Sequence, residues 1–160
     1  MKTISLFVSV FLLSFMAEAA GFRVFAPSSR SGTLWIVKAT PEGKGLQLQV
    51  ERKVALGLAG RVITAHPAKP LLYVTATGGD PGKVPGAVVS LSAKGAYEKH
   101  VPVQFNDGAC YLSVDRGHKH LLGVSYGNGR LHVYPLGKDG VPGKPVATVD
   151  EGFNAAHCVL

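Results

Sequence analysis

The sequence contains no run of five or more like charges and no convincing stretch with a 3.6-residue amphipathic period. The second absence argues against a helical fold, because a surface helix places an apolar residue at every third or fourth position. The first argues against a nucleic-acid groove, which needs clustered Lys and Arg interleaved with aromatic residues. The formal net charge of +7 is spread along the 160 residues. We therefore interpret it as a solvated basic surface and expect no nucleic-acid partner.

A long apolar run occurs at the N-terminus. Lys2 is followed by a largely apolar run from Ile4 to Met16, and then by Ala17-Glu18-Ala19. A charged start, a short apolar segment and a small-x-small motif describe a secretory signal peptide. The run is shorter than the roughly 20 residues of a membrane span, which makes an uncleaved anchor the second choice. We expect residues 1–19 to be removed and residues 20–160 to form one domain, secreted or periplasmic and away from the membrane.

Glycine and proline are plentiful, at 20 and 10 residues, which suits a turn-rich β protein. Three apolar or alternating runs at 110–114, 121–126 and 131–134 are separated by Asp115-Arg116-Gly117 and Gly127-Asn128-Gly129. Period-two alternation indicates strands, and turns this short join antiparallel neighbours. The region from 109 to 136 is therefore predicted to be a three-stranded meander. Further strands are predicted at 22–26, 33–38, 46–54, 62–65, 71–77, 87–91, 98–104 and 145–149, with a loop over 78–86.

The strand pattern repeats along the chain. LLYVTATGG at 71–79 corresponds to LLGVSYGNG at 121–129, and AVVSL at 87–91 corresponds to LHVYPL at 131–136. A spacing of about 43 to 50 residues with four short strands per unit is typical of a β-propeller blade. A closed propeller needs roughly four to eight blades, whereas these 160 residues account for two to three.

The two cysteines, Cys110 and Cys158, would enter an oxidising compartment in an exported protein. Each stands at the start of a similar strand in successive repeats. We expect this placement to hold their Cα atoms further apart than the roughly 4.4–6.8 Å that a disulfide requires. A bridge between them is therefore not predicted, although the sequence leaves their oxidation state open.

The block CYLSVDRGHKHLLGVSYGNGRLHVYPLGKDGVPGKPV at 110–146 resembles a known family, and HPAKPLLYVTA at 66–76 matches the preceding blade. The family is that of the lactonase-type seven-bladed β-propellers, which includes 6-phosphogluconolactonase and carboxymuconate cyclase. The resemblance covers nearly all of the mature chain and implies an all-β partial propeller of two to three four-stranded antiparallel blades. Family members are typically more than twice this length. The blades that supply the carboxylate and arginines of the family's cleft have no counterpart here.

The resemblance also places a histidine strand after the 145–149 strand. Here that strand reads Ala155-Ala156-His157-Cys158, so one histidine of a His-Ala-His-like pattern is kept. His157 is the candidate general base, because a neutral imidazole facing the central channel could take a proton from water or from a substrate carbon. A terminal residue with no such role is the alternative interpretation.

Two residues of the 126–129 turn are candidate substrate-binding groups. Tyr126 and Asn128 could orient a sugar or a carboxylate by hydrogen bonding, and the alternative for both is plain turn chemistry. Asp115 is interpreted as a residue that caps its turn by bonding backbone N–H groups, and His66, which precedes Pro67, as a turn residue. His118 and His120 lack a third ligand nearby, so a solvated loop is favoured over a metal site. Gly78-Gly79-Asp80 lacks the Lys-Ser/Thr ending of a phosphate loop, and no metal or cofactor is expected.

Two classes of function remain open. The first is an exported lactonase-like enzyme acting on a sugar lactone or a muconate-like acid, which we expect to be truncated and weakly active or inactive alone. The second is a non-catalytic secreted β-propeller fragment that serves as a binding or assembly module. A partial propeller exposes strand edges, which pair readily with another chain. Self-association through open sheet edges is therefore expected.

Overall fold

The computed structural model describes residues 21–76, 80 and 82–151. The predicted signal peptide, His157 and Cys158 lie outside these ranges. Among the residues described, no helix is long and apolar enough to cross a membrane. The strands are β1 (Phe22–Ser28), β2 (Thr33–Glu42), β3 (Gly45–Ala55), β4 (Gly60–Ala65), β5 (Leu71–Ala76), β6 (Val84–Leu91), β7 (Tyr97–Phe105), β8 (Tyr111–Val114), β9 (His120–Val124), β10 (Leu131–Pro135) and β11 (Ala147–Val149).

The strands form three antiparallel sheets of consecutive strands. The first sheet has the order β1-β2-β3, the second β4-β5-β6-β7 and the third β8-β9-β10-β11. This confirms the prediction of an all-β partial propeller built from successive meanders. The three-stranded meander predicted over 109–136 is also present, and β11 extends it to four strands.

Two details differ from the sequence-based prediction. The first sheet has three strands among the described residues, where four-stranded units were expected. In addition, β6 begins at Val84, inside the segment predicted to be a loop. Pro85 is tolerated there because it pairs only with Gln104 of β7, while pairing with β5 begins one residue later, at Gly86. Proline is acceptable near the start of a strand, where it removes no ladder hydrogen bond.

The second sheet is packed on both faces. Phe25, Leu34 and Ile36 of the first sheet meet Leu72 and Val74 in one core. Tyr73, Val88 and Phe105 meet residues of the third sheet in the other. All six residues of β5 are buried, which explains its continuous apolar sequence, since a strand covered on both faces loses the alternation of a half-exposed one.

The connections between strands lie at two ends of the sheets. One end, called the upper end, holds the β1–β2, β3–β4, β5–β6, β7–β8 and β9–β10 connections and the last residue of β11. The other, called the lower end, holds the remaining connections. Gly82 at the upper end donates its amide hydrogen to the Asn106 carbonyl at 2.6 Å. That bond ties the second sheet's loop to the connection that leads into the third sheet.

Candidate functional site

Two connections meet at the upper end of the third sheet: residues 106–110 between β7 and β8, and residues 125–130 between β9 and β10. Gly129 has a φ of +66°, a value that glycine adopts without strain, and it lets the second connection close as a tight turn. Ser125 donates its amide hydrogen to the Arg130 carbonyl at 2.9 Å. Asn106 donates its amide hydrogen to the Tyr134 hydroxyl at 3.0 Å, which fastens the first connection to β10.

A buried hydrogen-bonded chain lies beneath these loops. His132 Nε2 is 2.6 Å from Asp107 Oδ2, and His132 Nδ1 is 2.8 Å from Thr148 Oγ1. His132 is 4% exposed and Asp107 is 8% exposed, whereas Thr148 lies at the surface. With Nε2–H donating to the carboxylate, Nδ1 accepts the hydroxyl proton of Thr148. The chain therefore links the 106–110 connection to β10 and β11.

Asn128 and Arg130 complete the surroundings of the buried carboxylate. Arg130 donates its amide hydrogen to Asn128 Oδ1 at 3.2 Å, which leaves the Asn128 amide group to donate to Asp107. Arg130 Nη1 is 4.0 Å from Asp107 Oδ2. Burial favours the neutral carboxyl, but the hydrogen bonds from His132 and Asn128 and the charge of Arg130 outweigh it, so the pKa of Asp107 lies below its usual value.

The Arg130 guanidinium is partly exposed and has a second acidic partner. Its Nε donates to Asp150 Oδ2 at 2.8 Å, across the open surface after β11. Two carboxylates therefore face one guanidinium. Such a surface can offer donors and acceptors to the hydroxyl groups of a small molecule, while a free dianion would meet repulsion.

The predicted substrate-binding residues fall at this place. Tyr126 projects from the turn with 53% of its surface exposed, and Asn128 lies in the same turn with its side chain in the Asp107 network. His157, the predicted base, comes seven positions after Asp150 and lies outside the described residues. Asp107, Arg130 and His132 were not predicted. In the sequence, the signal that could have pointed to His132 is its place on an alternating strand otherwise made of apolar and aromatic residues.

The lower end contains the turn residues predicted from the sequence. His66 Nδ1 accepts the amide hydrogens of Ala68 and Lys69, both at 3.0 Å. Asp115 Oδ1 accepts those of Lys119 at 2.7 Å and His120 at 2.8 Å. Both interpretations as turn residues are confirmed, and the two side chains do the same work in successive sheets.

The remaining histidines of the lower end take part in this turn structure. His118 lies edge-on to His66 with 5.5 Å between ring centroids, and His120 Nδ1 is 3.2 Å from Asp115 Oδ2. Across the part of the chain that the structure describes, no three His, Cys, Asp or Glu side chains are grouped to hold a metal ion. Cys110 places its Sγ 3.3 Å from the Val124 carbonyl oxygen.

Comparison with known proteins bears on the family and the fold of the chain. A comparison with curated proteins finds no match. The family model described as "Lactonase, 7-bladed beta-propeller" matches residues 27–157, a range that includes every strand from β2 to β11 and the last two residues of β1. It also includes both upper-end connections of the third sheet. The chain therefore belongs to the lactonase family of seven-bladed β-propellers.

Proposed function

We propose that the chain acts on a small sugar lactone at the upper end of its third sheet. The observation that supports this most directly is the Arg130 guanidinium, partly exposed and fixed between Asp107 and Asp150 in the loop that also carries Tyr126 and Asn128. A guanidinium held in place by carboxylates loses little conformational entropy when it donates hydrogen bonds to a ligand.

The charge of the site favours one of the two substrate classes. A muconate-like acid carries two carboxylates, which would approach the exposed Asp150 beside a single guanidinium. A sugar lactone ring is neutral and carries several hydroxyl groups, each able to donate to a carboxylate and accept from Arg130 or Tyr126. We therefore propose the sugar lactone as the substrate class.

The proposed reaction is hydrolysis of the lactone ester. A water molecule attacks the ring carbonyl carbon, and a general base takes a proton from that water as the new C–O bond forms. The bond between the carbonyl carbon and the ring oxygen then breaks, and the ring oxygen takes up a proton, giving a hydroxy acid. We assign the base to His157, and we assign binding of the substrate oxygens to Arg130, Tyr126 and Asn128.

His132 does not fill the role of base. Its ring is buried, one nitrogen is 2.6 Å from Asp107 and the other is 2.8 Å from Thr148, so neither is open to a water molecule. This arrangement also supports a second candidate function, in which the same surface binds a sugar acid or lactone without hydrolysing it. The two candidates differ in whether His157 contributes to turnover.

The test is hydrolysis of glucono-δ-lactone above the uncatalysed rate, followed by pH-stat. Arg130→Gln is compared with Arg116→Gln, which removes an exposed arginine at the lower end. We expect Arg130→Gln to lower kcat/KM by about 10- to 100-fold, the worth of a charged hydrogen bond, and Arg116→Gln to leave it unchanged. Equal effects of the two substitutions would contradict the proposed location.

The same assay separates catalysis from binding. His157→Ala is expected to lower kcat by about 10²- to 10⁴-fold, as loss of a general base does, while His100→Ala serves as the matched control on β7. No hydrolysis above background by the parent chain, together with saturable binding of the sugar acid that Arg130→Gln weakens, would favour the binding function. Neither hydrolysis nor binding would overturn both.

We also propose that the protein is exported, on the strength of Lys2, the run from Ile4 to Met16 and the Ala17-Glu18-Ala19 motif. N-terminal sequencing of protein recovered outside the cytoplasm is expected to begin at Ala20. Recovery of a chain that keeps Met1 would contradict cleavage.

A further inference from the structure

Three side chains of the third sheet are arranged as a hydroxyl, an imidazole and a carboxylate in series. Thr148 Oγ1 is 2.8 Å from His132 Nδ1, and His132 Nε2 is 2.6 Å from Asp107 Oδ2. A hydroxyl within hydrogen-bond reach of an imidazole that a third group orients is the arrangement by which proteins activate an alcohol as a nucleophile. The lactone reaction proposed above gives Thr148 no role.

The register of the third sheet brings the hydroxyl to the imidazole. His132 of β10 pairs directly with Thr148 of β11. Residues opposite one another in a sheet share a face, with their Cβ atoms about 4.5–5.5 Å apart. Two paired strands therefore hold both side chains, and a nucleophile and base fixed in this way need little further ordering before a reaction.

The bond to Asp107 sets the tautomer that a base at Nδ1 requires. Burial raises the pKa of the Asp107 carboxyl, but hydrogen bonds from His132 and Asn128 outweigh burial and hold that pKa below its usual value. A carboxylate has no proton to donate, so Nε2 carries the ring proton and Nδ1 presents a lone pair to the Thr148 hydroxyl. The same carboxylate stabilises the imidazolium that forms when Nδ1 takes that proton.

The hydroxyl is exposed, whereas the groups behind it are buried. Thr148 lies at the surface, while His132 is 4% exposed and Asp107 is 8% exposed. A molecule in solution can therefore approach Oγ1, but the imidazole is shielded from water. This is why His132 does not serve as a base for water and still meets the requirement of a base for Thr148.

We propose that Thr148 is a nucleophile that takes an acyl group from small carboxylic esters, with His132 as its base and Asp107 as the positioning carboxylate. Oγ1 attacks the carbonyl carbon of the ester while its proton passes to His132 Nδ1. The bond between that carbon and the leaving oxygen then breaks, and the leaving oxygen takes up the proton from Nδ1. The products are an acyl ester of Thr148 and a free alcohol or phenol.

Positive charge lies at the same end of β11. Arg130 Nε donates to Asp150 Oδ2 at 2.8 Å, two residues after Thr148, and the guanidinium is partly exposed. A cation held in place by the protein can stabilise the negative charge that develops on the carbonyl oxygen during attack. The upper end of the third sheet thus combines a nucleophile, a base, an orienting carboxylate and a cation.

The shielding of His132 also predicts the fate of the acyl group. Release from Thr148 requires a water molecule that gives its proton to Nδ1. The acyl group on Oγ1 stands between that nitrogen and the solvent, so water reaches the base poorly. We therefore expect acylation to be faster than release, with the acyl-threonine accumulating.

The release of p-nitrophenol from p-nitrophenyl acetate, followed by stopped-flow absorbance, tests the step. We expect a burst of one p-nitrophenol per chain and then slower release. Thr148→Val keeps the shape of the side chain without the hydroxyl and should abolish the burst, whereas Thr148→Ser should keep it. Ser29→Ala, which removes an exposed hydroxyl of the β1–β2 connection, should leave it unchanged. No burst from the parent chain, or an equal burst from Thr148→Val, would overturn the proposal.

Peptide mapping after the burst identifies the acylated atom. We expect the acetyl group on the peptide that contains Thr148, and we expect hydroxylamine to remove it, because hydroxylamine cleaves esters and leaves the amides of acylated lysines intact. Acetyl groups found on lysines alone would contradict the proposal.

Asp107→Asn separates a positioning role from a purely structural one. An asparagine can turn its NH₂ group towards His132 Nε2, which moves the ring proton to Nδ1 and removes the lone pair that Thr148 needs. We expect the rate constant of the burst to fall by roughly 10²- to 10⁴-fold. A structural role alone would lower the folded fraction, and with it the size of the burst, but not its rate constant. An unchanged rate constant would therefore contradict the role assigned to Asp107.

Discussion

His66 and His132 are both buried, and they differ in how their two ring nitrogens are satisfied. His132 has a partner on each side, Asp107 and Thr148, drawn from a loop and a strand far apart in sequence. His66 has both of its bonds on one nitrogen, to the amides of Ala68 and Lys69. Its Nε2 is buried and has no hydrogen-bond partner among the residues described.

The difference shows that the two histidines do different work. His66 shapes a local turn, and the next sheet gives the same task to Asp115. His132 instead joins the 106–110 connection to β10 and β11, beneath the loop that carries Arg130. We therefore interpret His66 as a residue that stabilises a turn, and the Asp107–His132 pair as the support of the candidate site.

Asp107→Ala is expected to have the largest effect on stability. It leaves His132 Nε2 and the Asn128 amide without their buried acceptor, and we expect the free energy of unfolding to fall by about 3 kcal/mol. Urea unfolding followed by circular dichroism measures the loss. Replacing both partners, as in Asp107→Ala with His132→Phe, should recover part of it, because the buried imidazole donor is then no longer left unpaired. A loss below about 1 kcal/mol for the single variant would show that the pair does not support the fold.

His66→Ala is expected to cost less, about 2 kcal/mol, because two turn amides lose their acceptor and a small cavity forms. His66→Asn should restore much of the loss, since an asparagine side-chain oxygen can accept both amide hydrogens in such a turn. Urea unfolding of the two variants side by side gives the comparison. Equal stability of His66→Ala and His66→Asn would argue against the hydrogen-bonding role.

Asp115→Ala is expected to cost about 1 kcal/mol, the usual worth of a partly exposed side chain that bonds turn or cap amides. Asp115→Asn keeps an acceptor oxygen and should cost less. Urea unfolding gives the loss of unfolding free energy for both His66→Ala and Asp115→Ala. Their ratio measures how much burial adds to the stabilisation that a turn gains from its amide acceptor. A larger loss at Asp115 than at His66 would reverse that interpretation.

Mild acid is expected to lower the free energy of unfolding least. The loss comes only from the fraction of unfolded chains in which the His66 imidazole is protonated. Burial, and then the charges of Lys69 and His118, hold the pKa of His66 below its ordinary value. The unfolded chain therefore binds the extra proton first, and stability falls as pH drops below about 6.5. His66→Asn should flatten the unfolding free energy between pH 7 and 5, whereas an unchanged slope would point to another group.

A second loss of stability is expected at lower pH. The pKa of Asp107 and that of Asp115 both lie below their usual value, although burial opposes the shift in each. Hydrogen bonds from His132 and Asn128 outweigh burial at Asp107. Hydrogen bonds from His120 and Lys119 outweigh it at Asp115. The two carboxylates therefore add to the free energy of unfolding above about pH 4. This stabilisation is lost as the pH falls through their pKa values in the folded state.

The local features of this molecule could be predicted from the sequence, while the distant ones could not. His66 and Asp115 bond amides two to five positions away, so the turn pattern alone identified them. Asp107 and His132 are 25 positions apart and meet only because the register of β8, β9 and β10 brings them together.

The central claim is that the functional surface is the upper end of the third sheet. The most direct test is a backbone amide NMR titration with gluconate, the hydrolysis product of the proposed substrate class. Saturable shifts are predicted at residues 106–108 and 125–130, with none at residues 66–70 or 115–120 of the lower end. Saturable shifts confined to the lower end, or no saturation anywhere, would contradict the claim.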